Sequence, residues 1–296
     1  MLEHLQRDFV KPARVAILGA RGFVGAAAAQ WLAARDIPVL AIGRGEIDLM
    51  ADDAAERLTK LLRPEDSLLV IAARAPVKNG DMLLDNIRIM NNVCKALAKA
   101  TPAHVVYVSS DAVYADSPGP LSEVSCAEPA SMHGAMHLAR EVMLKSTTTA
   151  PLAVVRPSLL YGAADPHNGY GPNRFRRLAA AGEDIVLFGE GEERRDHVFI
   201  DDVAELIGRV LGHRSHGTLN IATGEVQSFR WIAERIAKMA PHPVVVRGSP
   251  RVGSMPHNGY RPFDPAATKA AFPDFSYTTL EDGLVRAAAA GTAKHA

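Results

Sequence analysis

The stretch RVAILGARGFVGAAAAQWLAAR, residues 14–35, decides the fold because closely spaced glycines join a buried strand to a helix. RVAIL is a short apolar run typical of a strand that is buried on both faces. The glycines Gly19, Gly22 and Gly25 then form G-x-x-G-x-x-G before the alanine-rich helix. The first permits a tight turn, the second lets the backbone approach a pyrophosphate, and the third allows close helix packing.

This junction predicts a dinucleotide-binding loop. The N-terminus of the following helix offers free N–H groups and a positive dipole to phosphates. The alternative is an ordinary glycine-rich turn. The position of the motif, after a strand and before a helix near the start of the chain, favours the binding loop.

Further apolar runs alternate with helical segments along the chain. The strand-like runs are VLAIG, SLLVIAA, HVVYVSS and LAVVRPSLLYG, and helical patterns at 51–62, 82–100 and 131–146 separate them. Such alternation indicates a parallel sheet covered on both faces. The predicted fold class is therefore α/β, a Rossmann-type doubly wound parallel sheet with a small C-terminal substrate-binding lobe.

The composition changes after Gly162, where a loop rich in Gly, Pro and Asn begins. We predict a dinucleotide-binding Rossmann domain over 1–162, completed by about 197–223. Segments 163–196 and 224–296 are predicted to form the substrate-binding lobe.

Bulk properties exclude several classes of function. Lys plus Arg and Asp plus Glu both number 33 in 296 residues, so the net charge of zero gives no support for a nucleic-acid binder. Two cysteines in no paired motif exclude a disulfide framework and are typical of the reducing cytoplasm. The N-terminus does not resemble a signal peptide, and no apolar run is long enough to span a membrane.

The end of the second strand selects the dinucleotide. NAD-binding proteins usually carry an acidic residue there, and NADP-binding proteins use arginine. This chain has Gly43-Arg44 and no carboxylate, with Arg21 as a second candidate for the 2′-phosphate. Both arginines could instead be solvated surface residues. NADP(H) is favoured and NAD(H) stays possible; Asp48 is a candidate to bind the adenine amine.

Several blocks, in order, resemble one family. GARGFVG, IAARAP, DNIRIMNNV, VVYVSSDAVY, RPSLLYG, LFGEGEERRDHVFIDDVAE, TLNIATGE and LEDGL are similar to motifs of the extended short-chain dehydrogenases/reductases of the NAD(P)-dependent epimerase/dehydratase type. Members act mostly on nucleotide-diphosphate sugars. The glycine-loop arginine and RGEIDLMAD also resemble GDP-fucose synthases, which use NADP(H). The resemblance extends the predicted cofactor contacts to Phe23, Val24, Leu49, Ala72, Ala73 and His137.

The resemblance aligns a histidine pair with the family's catalytic Tyr-x-x-x-Lys. Its surroundings, P-x-S-x-Tyr-Gly-x-x-Lys-x-x-x-Glu, align without gaps, so His133 stands in the tyrosine position and His137 in the lysine position. An imidazole is suited to acid/base catalysis near neutral pH, so His133 could exchange the proton itself. Two alternatives stay open. The site could bind ligand without redox chemistry, or the pair, at i and i+4, could chelate a metal, although no third ligand is evident.

Two neighbours of this helix are further catalytic candidates. Ser110 matches the family's Ser or Thr that bonds the reacting sugar oxygen. Asp111 stands where sugar dehydratases place an acid, but Ala112 follows it instead of a glutamate base, which argues against dehydration. The same alanine replaces the cysteine of GDP-fucose synthases and argues against their epimerisation. Asp111 is a candidate acid or orienting group, or a strand-end turn former.

Four residues are candidates for substrate binding. Arg195 matches an arginine that clamps the diphosphate, which a bidentate guanidinium suits. Asn173 and Arg174 lie in the loop that usually reaches the nucleotide, and Tyr161 could line the sugar pocket or pack the domain junction. Leu159 replaces the family's nucleotide-binding Asn, which predicts a different mode of substrate binding.

The resemblance implies a reductase or epimerase acting on a nucleotide-diphosphate sugar, with hydride transfer at a sugar carbon, usually C4. The alternative is a non-catalytic protein that binds NADP or a nucleotide sugar at a degenerate site. A metal-assisted enzyme is the third possibility. The family also pairs the helices around 82–100 and 130–146 across a dimer, which predicts a homodimer through a four-helix bundle.

Overall fold

The computed structural model describes residues 1–292, so 293–296 of the predicted C-terminal segment lie outside the described residues. The strands are β1 Glu3–His4, β2 Arg14–Leu18, β3 Val39–Ile42, β4 Asp66–Val70, β5 His104–Val108, β6 Leu152–Pro157, β7 Leu159–Tyr161, β8 Ile185–Phe188, β9 Arg194–Phe199, β10 Ser215–Ile221, β11 Val226–Ser228, β12 Val246–Ser249 and β13 Tyr260–Arg261.

The helices lie between these strands. They are α1 Phe23–Ala33, α2 Ala54–Leu61, α3 Gly80–Leu97, α4 Met132–Thr147, α5 Pro172–Ala180, α6 Ile200–Gly212, α7 Phe229–Met239, α8 Ala266–Ala271 and α9 Leu280–Thr292. Short 3₁₀ turns cover Asp111–Val113 and Pro256–Gly259.

The central sheet has the order β1-β10-β6-β5-β4-β2-β3, and every pair is parallel except β1 with β10. The chain runs from β2 to β3 on one side and then crosses to β4 on the other side of β2. Such a reversal opens a crevice outside the carboxyl ends of the strands, where ligands bind. The prediction of a doubly wound Rossmann sheet is confirmed.

The strands are continuously apolar because both faces of the sheet are covered. Residues 15–18 of β2 have no solvent exposure. Helices α1 and α6 pack together on one side, and α2, α3 and α4 form a layer on the other. This burial fixes the strand ends, and the loops that follow them form the site.

A second, smaller set of strands covers the crevice. Strand β9 pairs with β7, β11 and β13, while β8 pairs with β12. The prediction that LAVVRPSLLYG forms one strand is wrong, because the chain changes sheets at Ser158. The Ser158 hydroxyl donates to Asp196 of β9 at 2.6 Å, while its N–H donates to the Ile221 carbonyl of β10 at 3.0 Å, so Ser158 bridges the two sheets.

Within residues 1–292, no helix is both long enough and apolar enough to cross a membrane.

Candidate active site

The glycine loop closes tightly between β2 and β4. Gly19 has φ of +92°, in the left-handed region, and a Cβ there would lie 2.8 Å from the backbone nitrogen of Ala72. Gly22 donates its N–H to the Gly19 carbonyl at 3.0 Å and precedes α1, whose N-terminus has no side-chain cap. The unshielded N–H groups of this first turn lie at the sheet reversal and fit a pyrophosphate.

A cleft of about 690 Å³ joins this loop to the start of α4 and to the second lobe. It brings together most of the residues that the sequence singled out. These are Gly19, Gly22, Phe23, Val24, Arg44, Leu49, Ala72, Ala73, Ser110, Asp111, His133, His137, Asn173 and Arg195.

Three predicted cofactor residues, Arg21, Gly25 and Asp48, lie outside the cleft lining. A Cβ on Gly25 would come within 2.2 Å of the Gly19 carbonyl oxygen, so this glycine lets α1 pack under the loop. The Asp48 carboxylate accepts the Met50 N–H at 3.0 Å and stabilises the turn after β3.

Two predicted substrate residues also lie outside it. Tyr161 is 1% exposed, and its ring packs 5.4 Å from that of Phe199 beside a separate cavity of about 550 Å³. Arg174 is exposed on α5. Tyr161 is thus a buried packing residue in this structure, and its role at the sugar pocket or the domain junction stays a prediction.

The end of β3 differs from the sequence prediction. Glu46 folds back so that its Oε2 accepts the Gly43 N–H at 2.7 Å, while its Oε1 pairs with Arg21 at 2.6 Å. The Gly43 hydrogen bond, with help from Arg21, lowers the Glu46 pKa. The prediction of a strand end without a carboxylate is therefore wrong. Arg44 lines the cleft with no ion pair among the described residues, so its charge is available to a ligand.

The histidine helix is held against the Asp111–Val113 turn. Ser131 caps α4 by accepting the Gly134 N–H at 3.1 Å. A Cβ on Gly134 would lie 2.0 Å from the Ala112 carbonyl oxygen, so only glycine permits this approach. The contact brings His133 close to Asp111, whose charge opposes part of the effect of burial on the His133 pKa.

An internal ion pair anchors the same helix. The Glu141 carboxylate accepts hydrogen bonds from Nε and one Nη of Arg156, at 2.9 and 2.6 Å, and from the Ser109 hydroxyl at 2.7 Å. These bonds tie α4 to β6 and to the end of β5. The hydrogen bonds outweigh burial and lower the Glu141 pKa.

The two histidines meet edge to face, with ring centroids 4.8 Å apart and planes at 87°. Burial lowers the pKa of His133, whose Nδ1 is buried without a hydrogen-bond partner. Burial, His133 and Arg140 together hold the His137 pKa well below its usual value. Both rings are therefore neutral at pH 7.

The His137 ring is fixed from behind the cleft. Its Nδ1 lies 2.8 Å from the hydroxyl of Tyr107 on β5, and burial raises the pKa of that phenol to about 12. Arg140 lies over the Tyr107 ring, 5.2 Å from its centroid, and donates to the Ala72 carbonyl at 2.7 Å.

The geometry gives no support for a metal site at the histidine pair. Among residues 1–292 no group of three or more His, Cys, Asp or Glu side chains could hold a metal ion.

Asp111 lies between two arginines. Its Oδ2 is 3.1 Å from Arg261 Nε and 3.8 Å from Arg195, and Arg261 also donates to the Asp111 carbonyl oxygen at 2.7 Å. The Ser110 hydroxyl accepts the Ala112 N–H at 3.1 Å and faces the cleft. The Asp111 carboxylate is thus fixed in position. Asp111 also begins the 3₁₀ turn, so it is a turn former.

Asn173 and His197 line the cleft and use most of their polar groups within the protein. The Asn173 amide accepts the Gly162 N–H at 3.0 Å and donates to the Leu160 carbonyl at 3.2 Å. Burial lowers the pKa of His197 to about 3. Its Nδ1 lies 3.1 Å from the Arg195 carbonyl and its Nε2 has no partner, so a buried acceptor is available in the cleft lining.

Sequence reasoning missed five residues of this site: Glu46, Tyr107, Arg140, His197 and Arg261. Glu46 had a local signal, because it lies only four residues past the end of β3. Arg261 had none, since it reaches Asp111 across 150 positions of sequence.

Comparisons with known proteins agree with this architecture. The family model described as "NAD dependent epimerase/dehydratase family" matches residues 15–222. A UDP-glucose 4-epimerase of Mycolicibacterium smegmatis is 30% identical, over 76% of this chain and 82% of that protein. A dTDP-4-dehydro-6-deoxy-D-allose reductase of a Streptomyces species is 25% identical, over 80% and 84%.

Two further matches complete the comparison. An uncharacterized UDP-glucose epimerase of Bacillus subtilis is 24% identical over 67% of this chain, and the chain spans 64% of that protein's length. The structure of Thermus thermophilus UDP-glucose 4-epimerase, in complex with NAD, superposes with a TM-score of 0.81 at 23% identity, covering 96% of this chain and all of that one.

Proposed function

The chain belongs to the NAD dependent epimerase/dehydratase family, and on that basis we propose that it is an NAD(P)-dependent reductase or epimerase of a nucleotide-diphosphate sugar. Hydride transfer takes place at a sugar carbon, C4, and His133 takes the place of the family's tyrosine. One observation carries the proposal: a single cleft contains the glycine loop, Ser110 and a neutral, half-buried His133. The epimerase and reductase among its relatives support the reaction class.

The residues present fit a nicotinamide dinucleotide. The uncapped start of α1 and the Gly19 turn would hold the pyrophosphate, and Arg44 would contact the adenosine ribose. Bound there, the nicotinamide supplies the hydride acceptor or donor. His133 accepts the proton of the sugar hydroxyl during oxidation and returns it during reduction, while Ser110 holds the oxygen by a hydrogen bond.

NADP(H) is the favoured cofactor, and NAD(H) stays possible. The unpaired Arg44 supports NADP(H), because a free guanidinium suits a 2′-phosphate. Glu46 supports the alternative, since it occupies Arg21 and brings a carboxylate to the strand end. NAD in the Thermus structure also supports it.

Arg195 is proposed to clamp the substrate diphosphate. It lines the cleft, and its side chain is 11% exposed, so the guanidinium is already ordered by Glu193 and Asp111. Asn173 is proposed to shape the nucleotide pocket. Arg174 and Tyr161, outside the cleft lining, would act there only after a rearrangement.

The second candidate is a non-catalytic protein that binds NADP or a nucleotide sugar. It is favoured by His137, a neutral ring where the family has a permanently charged lysine. Fluorescence titration with NADPH and NADH, followed by turnover assays on UDP-, dTDP- and GDP-linked hexoses, separates the two. Turnover supports the enzyme, and binding without turnover supports the second candidate. Failure to bind either dinucleotide contradicts both the redox reaction and the dinucleotide sensor.

We further propose a homodimer through α3 and α4, working in the cytoplasm. Leu84 on α3 and Val142 on α4 are large apolar side chains, 67% and 57% exposed, as a helix-bundle interface requires. Both cysteines are free, which agrees with the reducing cytoplasm.

The domain division is also a proposal. Residues 1–162 and about 197–223 would bind the dinucleotide, and residues 163–196 and 224–296 would bind the substrate.

A further inference from the structure

Tyr107 on β5 and His137 and Arg140 on α4 form one connected group. The family alignment assigns a role only to His137. Tyr107 and Arg140 have no solvent exposure, and His137 is 7% exposed. Only His137 lines the cleft. Because its Nδ1 faces the Tyr107 hydroxyl at 2.8 Å, its Nε2 is the ring nitrogen left for a ligand.

The proton positions in this pair follow from what each atom can bond. A neutral imidazole carries one N–H, and the phenol carries one O–H. If His137 donated from Nδ1, the buried Tyr107 O–H would have no acceptor, because the described residues offer it no other partner. Buried donors without acceptors are strongly disfavoured. Tyr107 therefore donates to Nδ1, and the imidazole proton stands on Nε2.

Arg140 adds a fixed charge to the same place. Its guanidinium donates to the Ala72 carbonyl at 2.7 Å and lies 3.6 Å from the Met136 sulfur. No carboxylate of the described residues pairs with it, since the adjacent Glu141 is bound by Arg156. The positive charge is thus unneutralised directly beneath the strand end that lines the cleft.

We propose that Tyr107 locks His137 in the tautomer that presents an Nε2–H donor to the cleft, where it holds an oxygen of the bound dinucleotide. Arg140 acts from behind as the permanent cation that attracts this anionic ligand. Tyr107 and Arg140 are positioning residues. The proposal rests on the proposed function only in naming the ligand, because the tautomer is a property of the protein alone.

The first experiment reads the tautomer without ligand. Long-range ¹H–¹⁵N spectra of histidine-labelled protein, with His137 assigned from the His137→Gln variant, should show the Nε2–H form. Tyr107→Phe should lose this preference and populate both tautomers. The matched control is Tyr114→Phe, which also removes a buried hydroxyl, one bonded to Asn220 and Arg156. It should leave the His137 signals unchanged. An Nδ1–H form in the unmodified protein overturns the proposal.

The second experiment measures NADPH binding to the same variants. Tyr107→Phe should weaken it about three- to tenfold, the effect of one hydrogen bond, and Tyr114→Phe should leave it within twofold. A Tyr107→Phe variant with altered tautomers and unaltered affinity overturns the assigned role. If the unmodified protein binds no dinucleotide, the proposed function fails and the ligand assignment with it, while the tautomer result stands separately.

The charge is tested with Arg140→Lys and Arg140→Met. The lysine variant keeps the cation and should bind NADPH within about threefold of the unmodified protein. The methionine variant should bind at least about tenfold more weakly. If Arg140→Met does not fold, Arg140→Lys alone tests the role of the charge. Loss of NADPH binding in Arg140→Lys contradicts a role based on charge.

Discussion

The two ends of the cleft differ in how far water reaches their charged groups. Beside the proposed adenosine end, Arg21 and Glu46 pair with side chains 73% and 41% exposed. Beside the proposed catalytic end, Arg156 and Glu141 pair with side chains 6% and 0% exposed. Water screens the first pair and not the second. The buried pair therefore holds α4 in one orientation, while Arg21 and Glu46 can change partners.

The difference fits the distinct tasks that we propose for the two ends. A dry, rigid end suits proton transfer, which depends on the position and pKa of one group. An exposed end suits the selection of a cofactor by charge, where a side chain moves to meet the ligand. Substitutions should therefore have large effects at the proposed catalytic end, beside α4, and smaller effects at the proposed adenosine end, beside β3.

The largest effect is expected for His133→Ala. Loss of the proton-transfer group should reduce kcat about 10²- to 10⁴-fold, with dinucleotide binding preserved. Steady-state turnover with the substrate found in the hexose panel measures it. Met132→Ala, one residue earlier and half exposed, is the matched control and should retain activity. An active His133→Ala variant would remove His133 from the mechanism.

A smaller effect should separate the two ion pairs. Glu141→Gln leaves the Arg156 charge buried without its anion and should lower the free energy of unfolding by about 3–5 kcal/mol. Glu46→Gln, at the exposed pair, should not change it measurably. Urea unfolding at pH 7 compares them. Equal effects of the two substitutions would contradict the distinction between the ends.

Substitution of Arg44 should change the selection between NADPH and NADH by about one order of magnitude. Arg44→Ala should weaken NADPH binding about tenfold, the loss of a charge-assisted contact, and leave NADH binding unchanged. Arg21→Ala should have less effect, because Glu46 already pairs with Arg21. The same fluorescence titrations measure both variants. Parallel losses for NADPH and NADH would show that Arg44 does not read the 2′-phosphate.

The smallest effect concerns pH. Burial lowers the pKa of His133, so the neutral base persists below the pH at which an ordinary histidine is half protonated. In the direction of sugar oxidation, kcat/KM at pH 6.5 should exceed half of its plateau value and should fall only at lower pH. At pH 6.5 it should be up to about twofold higher than it would be if His133 had an unshifted pKa. Asp111→Asn removes a charge that raises this pKa and should move the fall lower still. A midpoint above 6.5 would contradict the assignment of His133.

Local sequence predicted most of the strands and helices, and the resemblance to the family named many of the residues that line the cleft. The glycine spacing, the alternation of strands with helices and the alignment of His133 all depend on neighbours within a few turns. Prediction was poorest where distant segments meet. Ser158 bridges the two sheets through Asp196 of β9 and Ile221 of β10, and the orientation of Asp111 depends on Arg261.

The sequence by itself determined the doubly wound sheet, because periodicity and glycine spacing act locally, and its resemblance to the family aligned the histidine pair with the Tyr-x-x-x-Lys motif. Only the tertiary structure decided how those histidines behave. Their neutrality comes from desolvation, and the direction of the His137 ring comes from Tyr107, 30 residues away on β5. Burial and through-space hydrogen bonding are properties of the packed molecule, so no local pattern encodes them.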